Sequence, residues 1–247
     1  MDTQIPPTTP TTPLPIPTGD DRPAFIVLFG GTFDPPHKGH VDLPLRVREA
    51  LEKRADAGGR AWTVYVPAAR SPHKVEGPVA SDADRLAMLG LATRGVACTA
   101  VWTDEIDRAV AGQPSYSVDT LRRAREWLDG HGCAGVPMRL LIGADQALAF
   151  HKWQSPRDIL RLATPAVMLR GDHAGERTLI NKLGNLDYYT PAEMNMWRAA
   201  IVPMGKIDIS ASQVREALRF GSDASLLNFV PKAVVEYIRK HNLYAQS

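Results

Sequence analysis

Cysteine is scarce in this chain. Only Cys98 and Cys133 occur in 247 residues. Their spacing fits no common zinc-ligand pattern and offers no disulfide framework, so they read as ordinary thiols of a reducing compartment. Long apolar runs are also missing. No stretch approaches the roughly 20 apolar residues of a membrane span. No basic segment followed by an apolar one opens the N-terminus, so no secretory signal is expected and a cytoplasmic location follows. Charge of one sign is lacking too: 29 Lys and Arg face 27 Asp and Glu, a formal net charge of +2. So even a balance excludes a chain-wide electrostatic footprint for nucleic acid, while allowing the local basic clusters that a phosphate substrate needs.

Apolar residues are not scarce. They make up 44% of the chain, enough for one large domain, or for one domain with an appendage. The appendage is legible. Residues 1–23, which include IPPTTPTTPLPIPTGDDRP, are rich in Pro and Thr, with few residues able to join a core. Such a segment does not offset its own ordering entropy and is expected to be a disordered, extended tail. A docking role for its polyproline-II character is the alternative.

From residue 24 to residue 247 the pattern is that of a single domain of alternating strands and helices. Ala24–Phe29 is a short apolar run ending at Gly30 and Gly31, as a strand buried on both faces reads. A helix is expected over 41–54, with Pro44 tolerable only in its first turn. Further strands are expected at 62–67, 96–102, 138–143, 166–170 and 200–204. Helices are expected from Ser81 as cap through 92, over 117–128, from Ser155-Pro156 through 162, from Thr190-Pro191 onward, and near 212–220 and 231–241. The stretch 171–187 reads as a loop. Strands separated by helices predict an α/β fold, a doubly wound, Rossmann-like parallel sheet with helices on both faces. In such folds ligands bind beyond the carboxyl ends of the strands, at the switch point.

The segment after the first strand, GGTFDPPHKGH over 30–40, therefore carries most of the chemical information. Gly30 and Gly31 remove side chains where backbone must pass close to a ligand. A helix start offers N–H groups and a positive dipole end to an anion. His37 and His40 are three apart, so in a turn entering a helix they can face one ligand. The glycine spacing is not that of a dinucleotide fingerprint, and the closing Gly-Lys-Ser/Thr of a Walker loop is absent. A metal site built on the two histidines lacks a third ligand at a recurrent spacing, so no protein-held metal is expected.

GTFDPPHKGH resembles the His-x-Gly-His signature of the nucleotidyltransferase superfamily. ISASQVREAL, 209–218, resembles that superfamily's Ile-Ser-x-Ser/Thr-x-x-Arg signature. Two signatures together are far more specific than either alone. Three more segments are similar to the bacterial nicotinate-nucleotide adenylyltransferases: PSYSVDTL at 114–121, LLIGADQALAFHKW at 140–153, and FVPKAVVEYIRKHNLY at 229–244. The resemblance spans residues 24–244 and excludes the tail.

What it implies is an enzyme of NAD biosynthesis that joins AMP from ATP to nicotinate mononucleotide, with Mg²⁺ bound to the ATP, releasing pyrophosphate. ATP and nicotinate mononucleotide are then the partners, with no nucleic acid and no membrane; oligomeric state stays open. By the same resemblance His37, His40, Lys74 and Arg215 are the catalytic residues. Gly30, Gly31, Thr32, Phe33, Gly39, Gly143, Asp145, Ser210 and Ser212 join His37, His40 and Arg215 around ATP. Thr32, Lys74, Ser117, Trp153 and Gln154 border the nicotinate nucleotide, with Trp153 stacking on the pyridine.

Plainer readings stand beside these. Trp153 could be core, Asp145 a helix cap, and Lys74 a solvated loop charge. Asp34 reads as ordering its turn. Gln154 stands where the family often carries an aromatic, so the preference for acid over amide is less legible than the reaction. Nicotinamide mononucleotide or phosphopantetheine are the alternative acceptors, and a non-catalytic nucleotide-binding regulator is the alternative from outside the enzymes.

Overall fold

The computed structural model describes residues 12–55, 60–70, 77–109, 115–169, 175–204, 209–220 and 226–244. Six strands form one sheet: β1 (Ile26–Gly31), β2 (Trp62–Pro67), β3 (Thr99–Val101), β4 (Met138–Gly143), β5 (Thr164–Met168) and β6 (Ile201–Val202). Every pairing is parallel, in the order β3-β2-β1-β4-β5-β6. The chain winds outward from β1 to β3, then returns to pair β4 on the other side of β1. The β1/β4 junction is thus the switch point of a doubly wound sheet.

Alternation sorts the strands onto two cores. Ile26 and Leu28 face the side filled by Val118, Leu121, Phe150 and Trp197. Val27 and Phe29 face the side filled by Leu43, Val47 and Leu89. The helices that supply these faces are α1 (Lys38–Ala55), α2 (Asp82–Thr93), α3 (Asp104–Asp107), α4 (Ser117–Gly130), α5 (Ala144–Ala149), α6 (Pro156–Leu162), α7 (Glu176–Gly184) and α8 (Pro191–Ala200). Two more, α9 (Ala211–Phe220) and α10 (Lys232–Lys240), join a third cluster in which Val214, Leu218, Val234 and Tyr244 pack against Val41 and Met88.

Four expectations change. Pro44 lies inside α1, beyond its first turn, because the helix opens at Lys38 rather than at residue 41. Ser155 precedes α6 in a left-handed conformation and makes no side-chain cap, so Pro156 alone marks the start. Within the stretch read as a loop, residues 176–184 form α7, whose Leu179 and Leu183 are buried. The Pro/Thr-rich segment is docked over its described part. Leu14 is 1% exposed, Ile16 is buried beside it, and the Trp102 indole donates to the Thr12 carbonyl over 2.9 Å. The Ile16 N–H donates to the Leu14 carbonyl over 2.9 Å, a γ-turn about Pro15, and both apolar side chains enter the same core. Burying each contributes about 1.5–3 kcal/mol, which offsets ordering for a segment whose prolines already restrict the unfolded chain.

Candidate active site

β1 ends in Gly30 and Gly31 because the next turn folds back on itself. A Cβ on Gly31 would lie 3.0 Å from the Phe33 ring. Phe33 adopts φ 48° and is buried, so only its backbone can face a ligand. Its ring sits 5.1 Å from His40, 5.6 Å from Phe29 and 5.8 Å from Tyr65, an aromatic floor. On that floor the His37 and His40 rings stack, centroids 3.6 Å apart at 18°. The His37 main-chain N–H donates to His40 Nδ1 over 3.2 Å. An Nδ1 that accepts leaves the proton on Nε2, so His40 is held as a donor at Nε2.

The loop is braced from distant elements. Arg85 of α2, with no side-chain exposure, donates to the Thr32 carbonyl over 2.7 Å and pairs with Asp82. The Asp34 carboxylate accepts from the N–H groups of Val79 and Ala80 at 2.6 and 3.2 Å. It also accepts the Tyr244 hydroxyl at 2.6 Å. Burial first, and this bond second, hold Tyr244 protonated far above the usual tyrosine range. Lys38 donates its main-chain N–H to Phe229 over 2.8 Å and its ammonium to the Leu227 carbonyl over 2.7 Å.

The second signature arrives at the same loop. Arg215 of α9 donates from Nη1 to the Asp34 carbonyl over 2.7 Å, three residues before His37. Its Nη2 reaches Ser212 Oγ at 3.3 Å. Ser210 caps α9 reciprocally: its hydroxyl accepts the Gln213 N–H, and Gln213 Oε1 accepts the Ser210 N–H. His37, Gly39, His40, Arg215, Ser210 and Ser212 are thereby gathered at one end of the sheet.

The remaining candidates line its neighbours. Gly143 ends β4 beside β1, and a Cβ there would meet Asp145 Oδ1 at 2.6 Å, so the carboxylate lies over this glycine. Asp145 itself is exposed in the first turn of α5. Trp153 is half-buried, 5.0 Å from Phe150, and Gln154 is exposed. Ser117 opens α4. Just before it, the Ser115 N–H donates to the Arg70 carbonyl beyond β2, while its hydroxyl donates to buried Glu105 over 2.6 Å. Lys74 falls outside the described residues. Among the described residues, no group of three His, Cys, Asp or Glu side chains gathers as a metal cage. None of their helices is long and apolar enough to cross a membrane.

Comparison with known proteins bears directly on this arrangement. The cytidylyltransferase-like family matches residues 28–217. A Pseudomonas putida protein named a probable nicotinate-nucleotide adenylyltransferase is 34% identical over 223 residues, covering 89% of this chain and 90% of its own length. The chain belongs to the nicotinate-nucleotide adenylyltransferase family. A relative of the same name from Methylococcus capsulatus is 32% identical over 228 residues, covering 90% of this chain and all of its own. Among solved structures, the nicotinic acid mononucleotide adenylyltransferase of Plasmodium falciparum, complexed with NaAD, shares the fold at TM-score 0.60 and 16% identity, covering 89% of this chain and 96% of that one.

For a member of the nicotinate-nucleotide adenylyltransferase family, several residues around the site escape a reading of the sequence. Arg85 left a signal: it shares the helical face of Met88, Leu89 and Ala92, an apolar stripe where a charge needs a buried partner. Asp34 reads only as a turn residue, because Val79, Ala80 and Tyr244 are distant in sequence. Tyr65 and Glu105 left no signal of their own.

Proposed function

We propose that this chain transfers AMP from ATP to the phosphate of nicotinate mononucleotide, giving nicotinic acid adenine dinucleotide and pyrophosphate. The observation that carries this reading is the Arg215 bond to the Asp34 carbonyl, which joins the second signature to the loop of the first. A phosphate oxygen of the mononucleotide attacks the α-phosphorus of ATP. The new P–O bond forms as the bond to the β-phosphate bridge breaks, and pyrophosphate leaves. No covalent enzyme intermediate is needed, so positioning and charge stabilisation supply the rate.

Each residue then has a task. His40, held as an Nε2 donor, contacts the α-phosphoryl oxygens as charge grows there, and His37 braces it by stacking. At the start of α1, where the His37 and Lys38 N–H groups already serve His40 and Phe229, the Gly39 N–H adds a donor for a phosphate oxygen. Arg215, Ser210 and Ser212 hold the β- and γ-phosphates and then the departing pyrophosphate, the guanidinium in bidentate fashion. Lys74 adds a cation near the attacking phosphate. Asp145 reaches ribose or metal-bound water. Trp153 stacks on the pyridine beside Ser117 and Gln154. Mg²⁺ bound to the triphosphate would neutralise phosphate charge there.

The test supplies ATP and Mg²⁺ with nicotinate mononucleotide, nicotinamide mononucleotide or phosphopantetheine in parallel, and identifies the product. Nicotinic acid adenine dinucleotide should form fastest, with one pyrophosphate per turnover. ATP binding without turnover on any acceptor would overturn the reading in favour of a regulator.

A further inference from the structure

Pro44 sits within α1, where it has no N–H to give. In an α-helix the N–H of residue 44 would bond the carbonyl of residue 40. That carbonyl belongs to His40. The Tyr65 hydroxyl donates to it over 2.9 Å. Tyr65 comes from β2 and is fully buried, its ring 5.8 Å from those of Phe29 and Phe33. We propose that Tyr65 is a positioning residue for the adenylyl transfer, its hydroxyl donating to the carbonyl for which Pro44 has no N–H and so fixing how His40 meets the substrate.

Three features make this more than a satisfied helix carbonyl. An ordinary N–H at residue 44 would tie His40 only to its own helix, whereas the Tyr65 hydroxyl ties it to β2 of the sheet. The imidazole is pinned at its other end, where Nδ1 accepts the His37 N–H. Main chain and ring of His40 are thus both referenced to fixed neighbours, which is what transition-state complementarity asks of a donor. Burial also holds the hydroxyl protonated, well above the usual tyrosine range, so it stays a donor.

The inference rests on the proposed reaction, and four proteins separate the two: the parent, Tyr65→Phe, Pro44→Ala and the double variant. Each is measured for kcat and for KM toward ATP and nicotinate mononucleotide, and each is unfolded in denaturant without substrate. Tyr65→Phe keeps the ring and loses the bond. Its kcat should fall about tenfold while both KM values stay within about twofold, the mark of a loosened donor rather than a lost binding contact. Pro44→Ala should change kcat by less than about threefold, because a carbonyl has room for two donors. Added to Tyr65→Phe, it returns an N–H to the His40 carbonyl and should restore kcat to within about threefold of the parent. The denaturation midpoint should show the same rescue. A Tyr65→Phe protein as fast as the parent, or a double variant as slow as Tyr65→Phe, overturns the inference. A parent that makes no dinucleotide overturns the proposed function instead.

Discussion

His40 shows how little freedom one side chain retains at this site. Its Nδ1 accepts a main-chain N–H, its carbonyl accepts a phenol, and its ring is stacked on His37. The ring therefore offers an Nε2–H donor without reorganising. His40→Ala should lower kcat about 10²-fold or more, as loss of an oxyanion-type donor does, with circular dichroism unchanged; near-normal turnover would remove His40 from the mechanism. Glu105 is constrained differently. It is a buried carboxylate that accepts the Ser115 and Thr120 hydroxyls at 2.6 and 2.7 Å. Burial raises its pKa above the ordinary value, with the two hydroxyl bonds opposing the rise. A raised folded-state pKa means that ionised Glu105 costs stability at neutral pH. That cost disappears as pH falls through the raised folded value and below the ordinary one. Denaturant unfolding of the parent and Glu105→Gln across mildly acidic to neutral pH should therefore show the parent gaining relative stability as pH drops. A constant difference would mean that Glu105 is not perturbed.

At the scale of elements, α3 is a single turn held from both sides. Asp104 pairs with Arg123 of α4 at 2.6 Å, both buried, and Asp107 accepts the hydroxyls of Thr103 and Thr12. The N-terminal arm thus braces the turn that carries Glu105 and, through Ser115, the entry to α4. Leu14 anchors the arm. Leu14→Ala should cost about 2–4 kcal/mol of stability, read by denaturation. Its kcat should stay near the parent's, because the described hydrogen bonds of the arm run to Asp107, Trp102 and Cys133, away from the His40 loop. A stability unchanged by the substitution would mean the arm is not seated in solution. The composition of this arm concealed its docking. Pro and Thr dominate it, and whether Leu14 and Ile16 find a surface depends on Trp102, Val136 and their neighbours in the opposite wall of the same core.

Across the whole molecule, the two signatures lie near opposite ends of the domain and meet because the C-terminal unit folds over the mouth of β1. Phe229, Leu227, Tyr244 and Arg215 each bond the loop of residues 34–38. On the proposed reading a triphosphate bridges His40 and Arg215 and binds only the assembled form, so ATP with Mg²⁺ should raise the unfolding free energy, by about 2.7 kcal/mol at a hundred times its Kd. Arg215→Ala at the same ATP concentration should lose most of that gain, and kcat should fall with it. A variant stabilised by ATP as much as the parent would take Arg215 out of the phosphate site. The alternating apolar runs were enough for the doubly wound sheet, since strands buried on both faces must read as continuous apolar stretches. The resemblance carried by GTFDPPHKGH and ISASQVREAL was enough for the family, since each signature is a local stretch of sequence. What only the tertiary structure decided are the contacts between residues far apart in the chain. Examples are the Asp34 carboxylate shared by Val79, Ala80 and Tyr244, the Tyr65 hydroxyl on the carbonyl above Pro44, and the core place of Leu14. A side chain's partner across the fold depends on packing that no local window of sequence contains.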